Sequence, residues 1–365
     1  MQTSANKGTP YSLIQGLVIG MLSCILFQSD AQQAACAEPN RQTLASRQAS
    51  VNPIGQAASP VDPHLTLGNE TCVKCHAGEV KVWQATPHAK TFDELHRRPE
   101  AKQIASRLGV RSIKHDGRCS QCHYTQKADA TGDVHAIAGI SCESCHGSAK
   151  HWLDVHHDYG GEHITRELES PQHRAQRLAK SVQLGMRNPI NVYLVAQSCL
   201  RCHTTADEQL VNVGGHSPGS LDFEFVSWSQ GTIRHNFVRS DGESNDLSSL
   251  PRQRLMFVSG MIAELEAGLR ATASATQKAK FGVNAAQRTA RAAARLRSVS
   301  QKTPSPLLDQ VLATFDGITL KLNNTAELTA AANRVAEVGF RYANTTDGNT
   351  LAPLDAFIPD QGRWK

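Results

Sequence analysis

The sequence predicts a mainly α-helical protein with little regular sheet. In the C-terminal third, apolar residues recur at alternating steps of three and four, the period of amphipathic helices. Ahead of that third, four short Cys/His motifs crowd between residues 72 and 203, leaving little room for an ordinary apolar core. Composition agrees: aromatic residues make up only 5% of 365 residues, while the chain holds 16 His and 10 Cys. Such a balance points to a core filled by something other than side chains, and bound cofactors are one such filler. A hydrophobic share of 40% with a mean hydropathy of -0.37 excludes both a multi-span membrane protein and a wholly disordered chain. The net charge of +5 is too mild to argue for nucleic acid.

The chain divides by character. Residues 1–37 read as a signal peptide, with Lys7 before the apolar run Leu13–Phe27 and a small-x-small cleavage pattern at Ala35-Cys36-Ala37. The protein is therefore expected to be exported, to a periplasm or an equivalent space, with membrane association only if that segment stays uncleaved. Residues 38–63, rich in Gln, Ala, Ser and Pro without periodicity, read as a flexible linker. The motif-bearing domain is expected over 64–248, a helical bundle or dimerisation region over 249–345, and a C-terminal tail over 346–365.

Beyond the signal segment, every Cys falls into one of four pairs, and each pair is followed directly by His. The motifs are Cys72-Val-Lys-Cys75-His76, Cys119-Ser-Gln-Cys122-His123, Cys142-Glu-Ser-Cys145-His146 and Cys199-Leu-Arg-Cys202-His203. Cys-x-x-Cys-His is the attachment signal for c-type haem. Two thiols one turn apart form thioethers to the two vinyl groups of one porphyrin edge, and the adjacent imidazole is forced under the ring toward iron. Tetrahedral zinc would use the Cys pairs but needs no His at that fixed place, and a disulfide framework leaves the four His unexplained. Four c-type haems are therefore expected, with His76, His123, His146 and His203 as proximal ligands. The uneven spacing of the motifs is no regular repeat, and the short interval from Cys119 to Cys142 makes the second and third haems neighbours.

Iron held by one His keeps an open position, whereas iron held by two is closed and suits electron transfer. Twelve His remain as second ligands: His64, His88, His96, His115, His135, His151, His156, His157, His163, His173, His216 and His235. Local context favours four. His88 follows Pro87, which fixes the backbone before it. His156, with His157 as its rival, follows Trp152 and Leu153 soon after the third motif. His216 sits in Val213-Gly-Gly-His-Ser-Pro-Gly, whose glycines allow close approach. His235 lies between Trp228 and Phe237.

The run Cys72-Val-Lys-Cys-His, Trp83, Thr-Pro-His88-Ala-Lys, Cys119-Ser-Gln-Cys-His, Gly139-Ile-Ser-Cys142-Glu-Ser-Cys-His-Gly147 and Cys199-Leu-Arg-Cys-His resembles the tetrahaem cytochrome c-554 family over roughly residues 66–240. The resemblance implies a ligand map. His88 would cross to the fourth haem opposite His203, His156 would return to the first opposite His76, and His235 would cap the third opposite His146. In the family the second haem can keep an open iron. This sequence departs there, because His216, and also His135, fall near the chain that would cover it.

From Ser249 on, Pro251 opens a pattern of Leu255, Val258, Ile262, Leu265 and Leu269. Further helices are expected over Ala279–Ala293, from Ser305-Pro306, and behind a capping box at Asn324-Thr-Ala-Glu327. These helices suggest a bundle, packed on the haem domain or on a second subunit as a homo-oligomer. Between Ala267 and Leu308 every charged residue is basic, with Arg288, Arg291 and Arg295 on one face. That face is either a solvated surface, a dock for an acidic redox partner, or compensation for haem propionates. The function expected is a relay of electrons between redox partners by an exported tetrahaem cytochrome. The alternative is a nitrogen-oxide or hydroxylamine-type redox enzyme with an open second haem.

Overall fold

The computed structural model describes residues 61–365. The expected signal peptide and nearly all of the expected linker lie outside the described residues. The chain is mainly α-helical, and its described strands form one two-stranded sheet. Among the described residues no helix is long and apolar enough to cross a membrane.

The motif region is built of short helices: α1 (Asn69–Cys72), α2 (Ala77–Ala85), α3 (Pro87–Glu94), α4 (Pro99–Arg107), α5 (Gly117–His123), α6 (Cys142–His146) and α7 (Leu153–His156). Two longer ones follow, α8 (Pro171–Gln183) and α9 (Val192–His203), and then α10 (Glu208–Asn212) and α11 (Phe225–Gln230). Between α5 and α6 lies an antiparallel hairpin, β1 (Thr125–Ala128) and β2 (Val134–Ala138), in which Lys127 faces His135 and Ala128 faces Val134.

Two buried polar groups in particular hold this loop-rich part together. Glu143, 1% exposed, accepts hydrogen bonds from the backbone N–H groups of Leu67 (3.0 Å), Gly68 (2.7 Å) and Ala149 (2.8 Å). An ionised carboxylate is tolerated inside when donors surround it in this way. The buried Thr125 hydroxyl lies within 2.9 Å of Gly139 O, Ser141 Oγ and Ser144 Oγ, tying the hairpin to α6.

The C-terminal region supplies four helices: α12 (Leu250–Ala273), α13 (Lys280–Lys302), α14 (Pro306–Asp316) and α15 (Thr325–Thr345). Helix α12 is central, with Val258, Ile262, Leu265 and Leu269 fully enclosed. One apolar cluster joins it to α13, α14 and α15 and also to Val192, Tyr193, Ala196 and Leu200 of α9. The fourth Cys/His motif thus sits at the end of a helix that shares the bundle's core. Residues 346–365 include a 3-10 helix, Gly348–Phe357, whose Leu351 and Leu354 are buried and whose Asp355 pairs with Arg254 at 2.6 Å. The expected capping box takes a different form. Asn324 bonds side chain to side chain with Glu327 and reaches back to Thr319 O, and it caps no backbone N–H.

The basic stretch also differs from a free solvated face. Arg288 is 2% exposed, Arg295 donates to Glu264 at 2.9 Å, and Arg297 pairs with Asp316. Those acidic partners lie on α12 and α14, so counting charges along α13 alone cannot find them.

Candidate haem-binding site

Each Cys pair spans about one helical turn, and local capping explains why. Asp116 accepts from Arg118 N at 2.9 Å to start α5. Asn191 accepts from Tyr193 N at 3.1 Å to start α9, which ends on Cys199-Leu-Arg-Cys202-His203. In the first motif the turn closes through His76 N–H to Cys72 O at 2.9 Å. The eight cysteines are unbridged.

The four motif histidines each face one other imidazole. Ring centroids are 6.4 Å apart for His76 and His156, 6.3 Å for His203 and His88, 6.2 Å for His123 and His216, and 6.2 Å for His146 and His235. Two metal–imidazole bonds of about 2 Å, plus about 1.1 Å from each bonded nitrogen to its ring centre, give roughly 6.2 Å. All four gaps have the width that one iron between two imidazoles requires.

Side-chain chemistry fits the same group. An imidazole whose Nδ1–H is engaged presents the lone pair of Nε2. Nδ1 of His235 donates to Ile233 O at 2.6 Å, that of His216 to Ser217 O at 2.7 Å, that of His146 to Arg187 O at 3.3 Å, and that of His156 to Leu153 O. Nδ1 of His203 lies 3.2 Å from Ser220 Oγ. Burial, reinforced by the facing His216, pushes His123 down to about 4. Burial does the same to His146 beside His235 and to His203 beside His88, each to about 4. These rings are neutral at neutral pH, the form that binds metal. Several buried donors beside them have no hydrogen-bond partner: Trp152 Nε1, Trp228 Nε1, Thr204 Oγ1 and Arg234 Nε. Trp152 packs on His156 and Trp228 on His203, while Thr204 and Arg234 are chain neighbours of His203 and His235. A cofactor carrying carboxylates would supply acceptors of the kind these donors lack.

The second-ligand loops are pinned. Thr86 caps α3, with its Oγ accepting from Ala89 N at 3.3 Å and Pro87 at the first turn, which places His88 near the helix start. Trp83 Nε1 donates to Ile140 O at 2.6 Å, and Ile140 N–H donates to His88 O at 3.0 Å. Thus Trp83 and the Gly139-Ile140 step fix His88 from two sides. The His216 loop is held by His216 N–H to Leu210 O at 3.0 Å and by Arg107 Nη1 to Gly214 O at 2.9 Å. Its Gly215 has φ +77, a conformation that favours glycine.

The rivals stand elsewhere. His135 lies on the hairpin, 3.1 Å from Asp129, and His115 bonds Ser112. His157 packs on His156 at 5.1 Å and donates to Leu153 O, while His173 bonds Glu169 at 2.8 Å.

The attachment cysteines also approach one another. The Cys72 thiol lies beside that of Cys142, and Cys122 beside Cys202. Cys145 lies near Cys199 and Cys202. The first motif thus lies beside the third, the third beside the fourth and the fourth beside the second, and Arg201 donates to both Gln121 O and Ser144 O at 3.3 Å, linking the second and third motifs as well.

Residues 71–147, holding the first three motifs, match the family described as cytochrome c554 and c-prime. Over these residues the chain is similar to the cytochrome c-554 family. Cytochrome c-554 of Nitrosomonas europaea is 31% identical over 100 residues, which are 26% of this chain and 43% of that protein. The chain thus spans less than half the length of this curated relative. No solved structure matches. This similarity supports covalently bound c-type haem. The fourth motif lies outside the matched residues.

Several contributors could not be read from sequence. Phe223 stacks on His203 at 5.0 Å, Ser220 bonds it, and Arg187 joins His146 to α9 by donating to Leu194 O and Gln197 Oε1. No motif marks these residues, since their role depends on contacts between segments distant in the chain.

Proposed function

We propose that the protein is an exported electron carrier with four c-type haems, each iron closed by two histidines. The observation that carries this reading is that all four motif histidines face a second imidazole at the width of one iron. Cys72, Cys75, Cys119, Cys122, Cys142, Cys145, Cys199 and Cys202 would hold the porphyrins. His76 with His156, His123 with His216, His146 with His235 and His203 with His88 would hold the irons. When bound, haem iron supplies one-electron redox chemistry, with potentials set by its ligands, burial and hydrogen bonds.

The chain's own part is to pack four attachment sites against one another and to keep small molecules off the iron. The nearness of Cys72 to Cys142, of Cys145 to Cys199 and of Cys122 to Cys202 supports transfer among all four sites. Redox proteins at either end of that row would be the partners. His216 beside His123 speaks against the enzymatic alternative, which needs an open second site. Export follows from attachment of c-type haem outside the cytoplasm.

Carbon monoxide added to the dithionite-reduced protein tests this reading. No change in the absorption spectrum is expected. A carbon monoxide adduct on the native protein would replace the carrier with a ligand-binding enzyme.

A further inference from the structure

The C-terminal helices have no assigned role in the cofactor region, yet one buried cation on them reaches it. Arg288 of α13 is 2% exposed. Its Nη2 donates to Ser220 O at 2.9 Å. Ser220 in turn is fastened to His203: its N–H donates to His203 O at 3.0 Å, and its Oγ lies 3.2 Å from His203 Nδ1. Gly219 lets this segment close down, since a Cβ there would stand 2.3 Å from His203 O and 3.1 Å from Arg288 Nη2.

The charge of Arg288 is incompletely balanced. Its facing carboxylate, Glu264 of α12, is 3.7 Å from Nη1, while the same carboxylate accepts from Arg295 at 2.9 Å. Nη1 is buried and makes no hydrogen bond. Arg291 adds a further cation nearby, and Glu224 a further anion beside Glu264. Asp222 is the acidic group that His203 feels, and its side chain is 68% exposed, where water screens it. A full ion pair would cancel the field of Arg288; a shared carboxylate at longer range leaves part of it directed at the His203 imidazole, inside a medium that screens weakly.

We propose that Arg288 sets the reduction potential of the fourth haem site and fixes its proximal ligand through Ser220, with Glu264 as the counterweight. The proposal rests on the four-haem reading above. One electron taken up by that site removes one positive charge from it, so a buried cation favours the reduced form and an anion opposes it. Removing the cation and neutralising the anion must therefore move the potential in opposite directions. A merely structural role would move it the same way in both.

The test is a spectroelectrochemical titration of the full-length, haem-loaded protein, its Arg288→Met, Arg288→Lys and Glu264→Gln variants, and His88→Ala to identify the fourth site's component. Mass and haem content are measured first. Fewer than four haems in the unsubstituted protein overturns the four-haem reading itself. With four present, Arg288→Met is expected to lower the fourth component at least tenfold in its reduction equilibrium, 59 mV for one electron. The other three should stay in place, Arg288→Lys should restore most of the value, and Glu264→Gln should raise it. Unchanged fourth-site potentials, shifts of the same sign in Arg288→Met and Glu264→Gln, or equal shifts at all four components would overturn the assignment of Arg288 while leaving the haem count intact. Should Arg288→Met fail to accumulate, the rise in Glu264→Gln decides alone.

Discussion

Gly139→Ala should open the fourth haem site from a distance. Gly139 lies between β2 and α6, and carries no ligand itself. A Cβ there would stand 2.3 Å from His88 O, 2.5 Å from Ala89 O and 2.7 Å from Thr91 Oγ1. Even a close C···O contact needs about 3.3 Å, so α3 or the 139–141 segment must retreat by about 1 Å. Two of the three obstructing atoms are backbone, so no side-chain rotation relieves them. The gap between His88 and His203 is 6.3 Å and has no slack around bonds of about 2 Å. Loss of the bond from Ile140 N–H to His88 O, 3.0 Å at present, adds to the displacement. Overpacking of this kind costs about 1–3 kcal/mol. The variant is expected to melt earlier and, when reduced, to bind one carbon monoxide per chain, read from the absorption spectrum against thermal unfolding by circular dichroism. Gly117→Ala is the control, since a Cβ there meets nothing within 4 Å. If Gly139→Ala keeps four closed haems and the parent's melting temperature, the argument that this glycine seats His88 is wrong.

Three further outcomes are expected. His216→Gly should convert one iron of the four to a ligand-binding, high-spin state at a stability cost of about 1 kcal/mol, because His216 is only half-buried; magnetic circular dichroism reads the spin state. Glu169 is held at about 2, against its usual 4.5, first by Arg177 and then by His173. Its stabilisation is therefore present above about pH 4.5 and is lost as pH falls toward 2, so Glu169→Gln should be less stable at pH 7, by at most about 3 kcal/mol, and match the parent near pH 2 in denaturant titrations. Because Arg177 also donates to His156 O at 2.5 Å, the first site should loosen in the same window. Tyr193→Phe removes the 2.5 Å bond from the fully buried Tyr193 hydroxyl to Glu266, which keeps Gln197 and Arg270; a loss of about 1.5–3 kcal/mol in urea unfolding is expected.

Local chemistry made much of the site legible. The Cys-x-x-Cys-His spacing is fixed by one helical turn and one porphyrin edge, so four motifs could be read with no knowledge of the fold. His88, His156, His216 and His235 stood out because each neighbours something that positions backbone or packs on a ring: Pro87, Trp152, Gly214-Gly215 and Trp228. The structure sets each of them opposite a motif histidine. The helices of the last third followed from apolar periodicity, which is local too. What stayed hidden depends on distant pairs. Glu143 reads as a surface residue until Leu67, Gly68 and Ala149 surround it. Arg288 reads as part of a basic face until α12 supplies Glu264 and the loop after α10 supplies Ser220. The order of the motifs in space was obscured for the same reason, since the approach of Cys72 to Cys142 spans the hairpin and four intervening α-helices.

The account's central claim is that two imidazoles close each of four irons. Low-temperature electron paramagnetic resonance of the oxidised protein, with spins quantified against polypeptide, tests it most directly. Four low-spin ferric centres per chain and no high-spin signal are expected. A high-spin signal in the native protein, or fewer than four ferric centres on fully matured chains, would contradict it.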